Sequence, residues 1–439
     1  MFQPTAGLHC GIDVMTRKSF ASMTFSKRTE WNTEESELAL AHRQRLAAGV
    51  PIADLTASNP TRCGLNYPSD LLTPLTDPAA FDYDPNAKGS LRAREAVCRY
   101  YRDLGARIEP GNVLLTTSTS EAYGYLFKLL CDPGDVVIVP QPSYPLFDFL
   151  GQTEAVELES APLVYDHGWQ LDLEGLRRKI TPRTKAVVLV HPNNPAGHFT
   201  KTWEAQELAA LCRQHGLALI VDEVFLDYGL DYGLGGQLGD LIQGLSLDRS
   251  SFTARDLDIP VFIVSGISKV CGLPQMKAAW IAACGSGIEE ALTRLEVIAD
   301  TYLSMNAPVQ QALPVWLEAR ADIQTQIRAR VRNNLAELDQ TLASQRSSQA
   351  AGEDGVWVNR LKIEGGWYAI LRIPATQPDE RTARELLDLG VLVHPGYFFG
   401  MAESGWLVVS LLTQASEFHQ GISVLLGYLH RNHESYLGA

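Results

Sequence analysis

The 439-residue chain has no Cys-x-x-Cys pair, and its seven cysteines (Cys10, Cys63, Cys98, Cys131, Cys212, Cys271 and Cys284) are scattered and odd in number. That spacing excludes a paired-cysteine zinc site and fits reduced thiols of a cytoplasmic protein better than a disulfide framework. No run of about eighteen apolar residues is present to span a bilayer, and the first residues lack the continuous apolar core of a secretion signal. Positive charge is scarce, with 37 Lys and Arg against 51 Asp and Glu, and a net charge of −14 would repel a nucleic-acid backbone or an anionic membrane surface. The expected partners are therefore small molecules, with neither nucleic acid nor membrane among them, no metal, and any phosphate site confined to one locality.

Other absences narrow the chemistry. There is no Gly-x-Ser-x-Gly, and glycine stands three positions before Lys269, so neither a serine-hydrolase elbow nor a Ser-x-x-Lys pair exists. Gly233-Leu-Gly235 is not completed by a glycine at Leu238 and follows no strand, so the glycine-rich stretch 229–251 reads as a surface loop rather than a dinucleotide fingerprint. Internal repeats, low-complexity tracts and long charge runs are missing as well.

What is present is an ordinary globular composition, 46% hydrophobic and 20% charged, on a chain long enough for two domains. Residues 1–28 carry no periodic pattern and are expected to be a disordered leader, with Met23 an alternative start. Apolar spacing predicts a helix over 31–48, and short, nearly continuous apolar strands recur at 113–115, 135–139, 185–190, 217–222 and 261–264 with helical patterns between them. That alternation predicts a mostly parallel sheet covered on both faces, an α/β fold. Helices dominate 289–345, broken at 304–311, and strands and turns return from 357 before a C-terminal helix.

Polar residues fall at the ends of these strands. Lys269 follows the strand Val261 to Val264 in Ser265-Gly-Ile-Ser-Lys-Val-Cys-Gly-Leu-Pro-Gln-Met-Lys277. A lysine released at the carboxyl end of a buried parallel strand sits where open sheets bind ligands, and partial desolvation makes its amine reactive. Asp222 ends an apolar strand, a costly position for a carboxylate without a partner. Asn194 lies in His-Pro-Asn-Asn-Pro-Ala-Gly after the strand ending at Val190. Ser118 and Thr119 open a helix, where free N–H groups and the helix dipole favour a phosphate, although N-capping by a hydroxyl explains the same residues.

Together these segments resemble the class I/II aminotransferases of the fold-type I pyridoxal-phosphate enzymes, over roughly residues 55–435. The Ser-Lys…Gly-Leu-Pro and Asn-Asn-Pro-x-Gly segments carry the likeness. The resemblance implies a large domain with a mostly parallel sheet over 76–335 and a smaller α+β domain from 29–75 and 336–439. It implies pyridoxal 5'-phosphate as cofactor, Lys269 as its Schiff-base partner, Asp222 against the pyridine nitrogen and Asn194 on the phenolic oxygen O3'. Ser118, Thr119 and Lys277 take the phosphate, with Lys277 standing where an arginine is usual. Tyr144 stacks on the ring, its alternative being packing at a loop entrance. Tyr83, whose alternative is core or turn packing, reaches the phosphate of the other subunit of a homodimer. The implied reaction moves an amino group between an amino acid and a 2-oxo acid; a lyase, decarboxylase or racemase would use the same residues. A non-catalytic regulator would need a lost lysine or an appended binding domain, and the sequence shows neither.

Two departures stand out. Phe225 occupies the place of a tyrosine that donates to O3', and Val408 the place of the arginine that binds the substrate carboxylate. Arg62, Arg360 and Arg372 are possible replacements. Arg62 is the expected one, because its Asn59-Pro60 loop should border the substrate side, though Asn-Pro is also a common turn dipeptide.

Overall fold

A computed structural model describes residues 24–230, 247–350 and 358–437. The larger sheet has eight strands: β2 (Val113–Thr116), β3 (Val136–Gln141), β4 (Glu157–Tyr165), β5 (Trp169–Leu171), β6 (Thr184–Val190), β7 (Ala218–Asp222), β8 (Val261–Gly266) and β9 (Ala279–Cys284). Their spatial order is β2-β9-β8-β7-β6-β3-β4-β5. The central run β8, β7, β6, β3 and β4 is parallel, while β9 and β5 pair antiparallel to their neighbours.

The continuous apolar strands are the ones buried on both faces, as a parallel sheet requires. Alternate side chains point to opposite sides, so Val187, Leu189, Leu219, Val221, Val261 and Ile263 enter one core while Val188, Val190, Ile220, Phe262 and Val264 enter the other. Helices close both cores, among them Thr119–Leu130, Thr202–His215 and Ala307–Glu318. Because Val190 pairs with Asp222 and Asp222 with Val264, the carboxyl ends of β6, β7 and β8 lie level at one rim.

A second sheet, ordered β10-β11-β14-β13, comprises β10 (Asn359–Arg360), β11 (Tyr368–Arg372), β13 (His394–Pro395) and β14 (Trp406–Ser410), all antiparallel. The long helix Arg320–Ala350 and the helix Ala415–Leu437 cover it, with Leu335, Leu338, Phe418 and Leu425 in the shared core. The early strand β1 (Ala53–Asp54) joins this part of the chain by pairing in parallel with β12 (Val391–Leu392).

Sequence and structure differ at edges. The first helix starts at Glu37 rather than near 31, because the Ser36 hydroxyl accepts the Ala39 N–H at 3.2 Å and caps it there. The antiparallel pair β4 and β5 was not anticipated: it forms the sheet margin, where β4 opens with the polar residues Glu157, Glu159 and Ser160 and mixes exposed, half-buried and buried positions. The anticipated leader lies outside the described residues apart from 24–28, as does most of the glycine-rich loop.

Candidate active site

Asp222, Asn194 and Lys269 converge because three adjacent parallel strands end together. They line one cavity of about 540 Å³ at the carboxyl edge of the sheet. The Asp222 carboxylate accepts hydrogen bonds from the Val224 N–H at 3.1 Å and the Tyr123 hydroxyl at 3.2 Å. Burial pushes its pKa up to about 6 despite those bonds and the nearby Lys269. Burial pushes the Lys269 amine down to about 8, while Asp222 opposes the shift. The amine sits 5.0 Å from the Trp367 ring and 5.6 Å from that of Phe225. Cation–π attraction favours its charged form, but the loss of water outweighs it. The backbone beneath is anchored by two phenols, buried Tyr228 and half-buried Tyr67: Tyr228 donates to the Lys269 carbonyl and Tyr67 to the Gly272 carbonyl, each at 2.7 Å.

At the other end, the helix Thr119–Leu130 presents its N-terminus to the cavity. The Ser118 hydroxyl accepts the Glu121 N–H at 3.1 Å, so it caps the helix and lines the cavity at once. The two explanations offered by the sequence are thus compatible. Thr119 and Lys277 line the same space, and Lys277 adopts the left-handed backbone region, φ +54°. Tyr144 lines it as well and is 38% exposed.

The residues fit the cofactor that the resemblance implies. A half-buried carboxyl already pushed up needs a cationic or protonated neighbour, which a pyridinium nitrogen supplies. The Asn194 side-chain oxygen is buried without a hydrogen-bond partner, and such an atom in a polar cavity marks a place for an external polar group. A side-chain amide carries a donor beside its acceptor, so the same position also serves a donor. The turn after Asn194 requires glycine at 197, φ +69°, because a Cβ there would lie 2.5 Å from the Gly365 carbonyl oxygen.

Not every anticipated residue arrives. Arg62 is exposed and does not line the cavity. The Asn59 side chain accepts the Thr61 N–H at 3.1 Å and starts a 3₁₀ turn, Pro60–Arg62, that carries Arg62 outward and leaves Ser58 on the cavity wall. Arg360 is held by Asp339, at 2.6 and 3.0 Å, and Arg372 by the Ser404 carbonyl and the Trp406 ring. Tyr83 is 78% exposed and borders a separate depression with Ser304 and Asn306, not the cavity of its own chain. Four other lining residues, Ser58, Tyr123, Tyr368 and His394, escaped the sequence reading. Tyr123 had a usable signal, since it lies four positions after Thr119 on the same helix face; the others come from distant segments with no common spacing.

The profile described as Aminotransferase class I and II matches residues 81–424. A glutamate-pyruvate aminotransferase of Escherichia coli is 27% identical over 279 residues, which cover 61% of this chain and 64% of that one. An alanine aminotransferase of Mycobacterium tuberculosis is 29% identical over 296 residues, 64% of each chain. The chain thus spans 64% of the length of these curated relatives. The solved alanine aminotransferase of Pyrococcus furiosus superposes with a TM-score of 0.77 at 21% identity, covering 92% of this chain and 99% of that one. The expected fold-type I architecture is therefore present.

Proposed function

We propose, from the premise that the chain belongs to the class I and II aminotransferase family, that it is a pyridoxal 5'-phosphate-dependent aminotransferase acting between an amino acid and a 2-oxo acid. The observation that carries this reading is the pairing of a half-buried Lys269, whose amine is pushed down to about 8, with a half-buried Asp222 in one cavity. The family is pyridoxal-phosphate-dependent, and when bound, this cofactor supplies an electron sink for the substrate Cα–H bond. Lys269 holds the cofactor and, when its amine is free, carries the proton taken from the substrate Cα. A pKa near 8 leaves a usable fraction of free amine at neutral pH. Asp222 faces the pyridine nitrogen and favours its protonated form, Asn194 faces O3', and Tyr144 covers the ring. Ser118, Thr119 and Lys277 receive the phosphate through a hydroxyl, helix N–H groups and an ammonium charge.

The same reading includes a homodimer in which Tyr83 reaches the partner's phosphate. The exposure of Tyr83, at 78%, and of neighbouring Phe81, at 93%, supports it; sedimentation showing only monomer at micromolar concentration would remove it. A cytoplasmic setting is supported by six unpaired cysteines among the described residues. No described helix is long and apolar enough to cross a membrane. The direct test mixes the holoenzyme with single amino acids. A shift of the bound cofactor's visible absorbance to its amine form, with a stoichiometric 2-oxo acid, is expected, and carbon dioxide or racemised amino acid in its place would redirect the assignment.

Phe225 provides a second test. It is buried, packs edge-on against Trp367 at 5.2 Å, and lines the cavity beside Lys269. Phe225→Tyr adds a donor at the position where O3' carries negative charge. One bond to a charged group is worth about 1.5–3 kcal/mol, so the pH midpoint of the holoenzyme's absorbance should fall by about one to two units. An unmoved or raised midpoint would place Phe225 away from O3'.

A further inference from the structure

The cavity lining extends beyond the residues assigned to the cofactor above. Among the described residues no arginine lines it; its cations are Lys269 and Lys277, both already engaged in the proposed function. Another part of its lining comes from Ser58, β11 and the β13 segment. There, Tyr368 and Ser58 both line the cavity. Tyr368 and His394 flank the same ring, Phe399, at centroid distances of 6.0 and 5.5 Å. His394 pairs across the sheet with Val408, the position where the sequence lacks its expected arginine. It is also stacked on Phe398 at 5.0 Å and 17°, which fixes the imidazole.

Phe398 and Phe399 make this wall aromatic, and Phe149 lines the cavity as well, while Tyr144 and Phe147 belong to the cofactor side, where Phe147 packs on Tyr123 at 5.2 Å. Tyr144 and Phe149 are 38% and 45% exposed and so form its mouth. An acidic substrate side chain here would be desolvated without a cation, and a methyl group would leave the aromatic surface wet.

We propose that the substrate is an amino acid with an aromatic or bulky aliphatic side chain, and that its carboxylate is received by His394 together with Ser58 and Tyr368 rather than by a guanidinium. Burial holds the His394 ring well below the usual histidine range, at about 3, so it binds as a neutral N–H donor. The Tyr368 phenol, pushed up to about 12 by burial, is likewise a neutral donor at all physiological pH values. The proposal rests on the aminotransferase reading for the presence of an amino-acid substrate. Its recognition part is separable, because a carboxylate without an amino group can be tested alone.

The experiment is calorimetric titration of the holoenzyme with 3-phenylpropionate, propionate and succinate. 3-Phenylpropionate should bind at least about tenfold more tightly than either of the others. His394→Phe keeps the stacking ring but removes the donor, and should weaken 3-phenylpropionate about 10- to 100-fold. His394→Gln, which keeps an N–H donor, should recover part of that loss, and the cofactor's visible spectrum should be unchanged in both variants. Succinate or propionate binding more tightly, or His394→Phe binding 3-phenylpropionate as the parent does, overturns the proposal while leaving amino transfer to other substrates intact. Binding in the expected order with no absorbance response to any amino acid would support the recognition site and remove the transfer reading instead.

Discussion

Lys269→Ala is expected to lose the covalent tie to the cofactor and at least about 10²–10⁴-fold in kcat, the range for removing one positioned acid–base group. The loss should be larger if covalent binding also orients the cofactor, because alanine supplies neither the amine nor the proton carrier. The fold should survive. The amine lies against Trp367 and Phe225, where its charge is disfavoured, so its removal relieves a desolvation cost while leaving a small void. Borohydride reduction followed by peptide mass analysis reads the outcome directly. The parent protein should carry the cofactor's mass on the peptide containing Lys269, and the variant should carry none. A mass found on Lys277 or on another lysine of the parent would overturn the assignment.

Asp222→Asn should separate function from stability. On the proposed reading it replaces, in the holoenzyme, a carboxylate meant for the pyridine nitrogen with a neutral amide, and removing one preorganised charge partner costs about 10²–10³-fold in kcat. In the cofactor-free protein the sign reverses. The folded-state pKa of Asp222 is raised from 3.8 to about 6, so the folded chain binds more protons than the unfolded chain between those values. Stability contributed by this group therefore falls as pH rises from about 4 to 6 and stays low above it. At 1.36 kcal/mol per pKa unit, the interval from 3.8 to about 6 corresponds to about 3 kcal/mol at pH 7. Urea unfolding of the cofactor-free forms should find Asp222→Asn more stable by up to that amount at pH 7, and no different near pH 4. An equal or lower stability at pH 7 would mean that Asp222 does not carry a raised pKa in the cofactor-free protein.

Asp222 also explains why part of the site is legible in the sequence. A carboxylate ending the run Ala-Leu-Ile-Val is anomalous in one dimension, because strand burial follows from the run itself and burial makes the charge expensive. Asn194 and Lys269 are anomalous in the same way, as polar groups placed just after buried strands, and parallel pairing then brings all three to one rim without further instruction. The helix opening at Ser118 is read by the same logic, since capping chemistry is local. Arg62 shows where that logic stops. A loop beside a site has two faces, and whether Arg62 or Ser58 turns inward depended on a 3₁₀ turn capped by Asn59. No apolar period encodes that choice.

The sequence by itself determined the α/β class, the parallel central strands and the polar groups at their carboxyl ends, because each follows from local periodicity and from the cost of burying charge. Only the tertiary structure decided what faces those groups across the cavity. Ser58, Tyr368 and His394 come from segments more than three hundred positions apart at the extremes, and β11, β13 and β14 bring the last two together through backbone pairing that carries no side-chain signature. Val408 could be seen as a missing cation in the sequence. That an imidazole stands across from it, fixed by a phenylalanine and held neutral by burial, follows from packing between strands and has no counterpart along the chain.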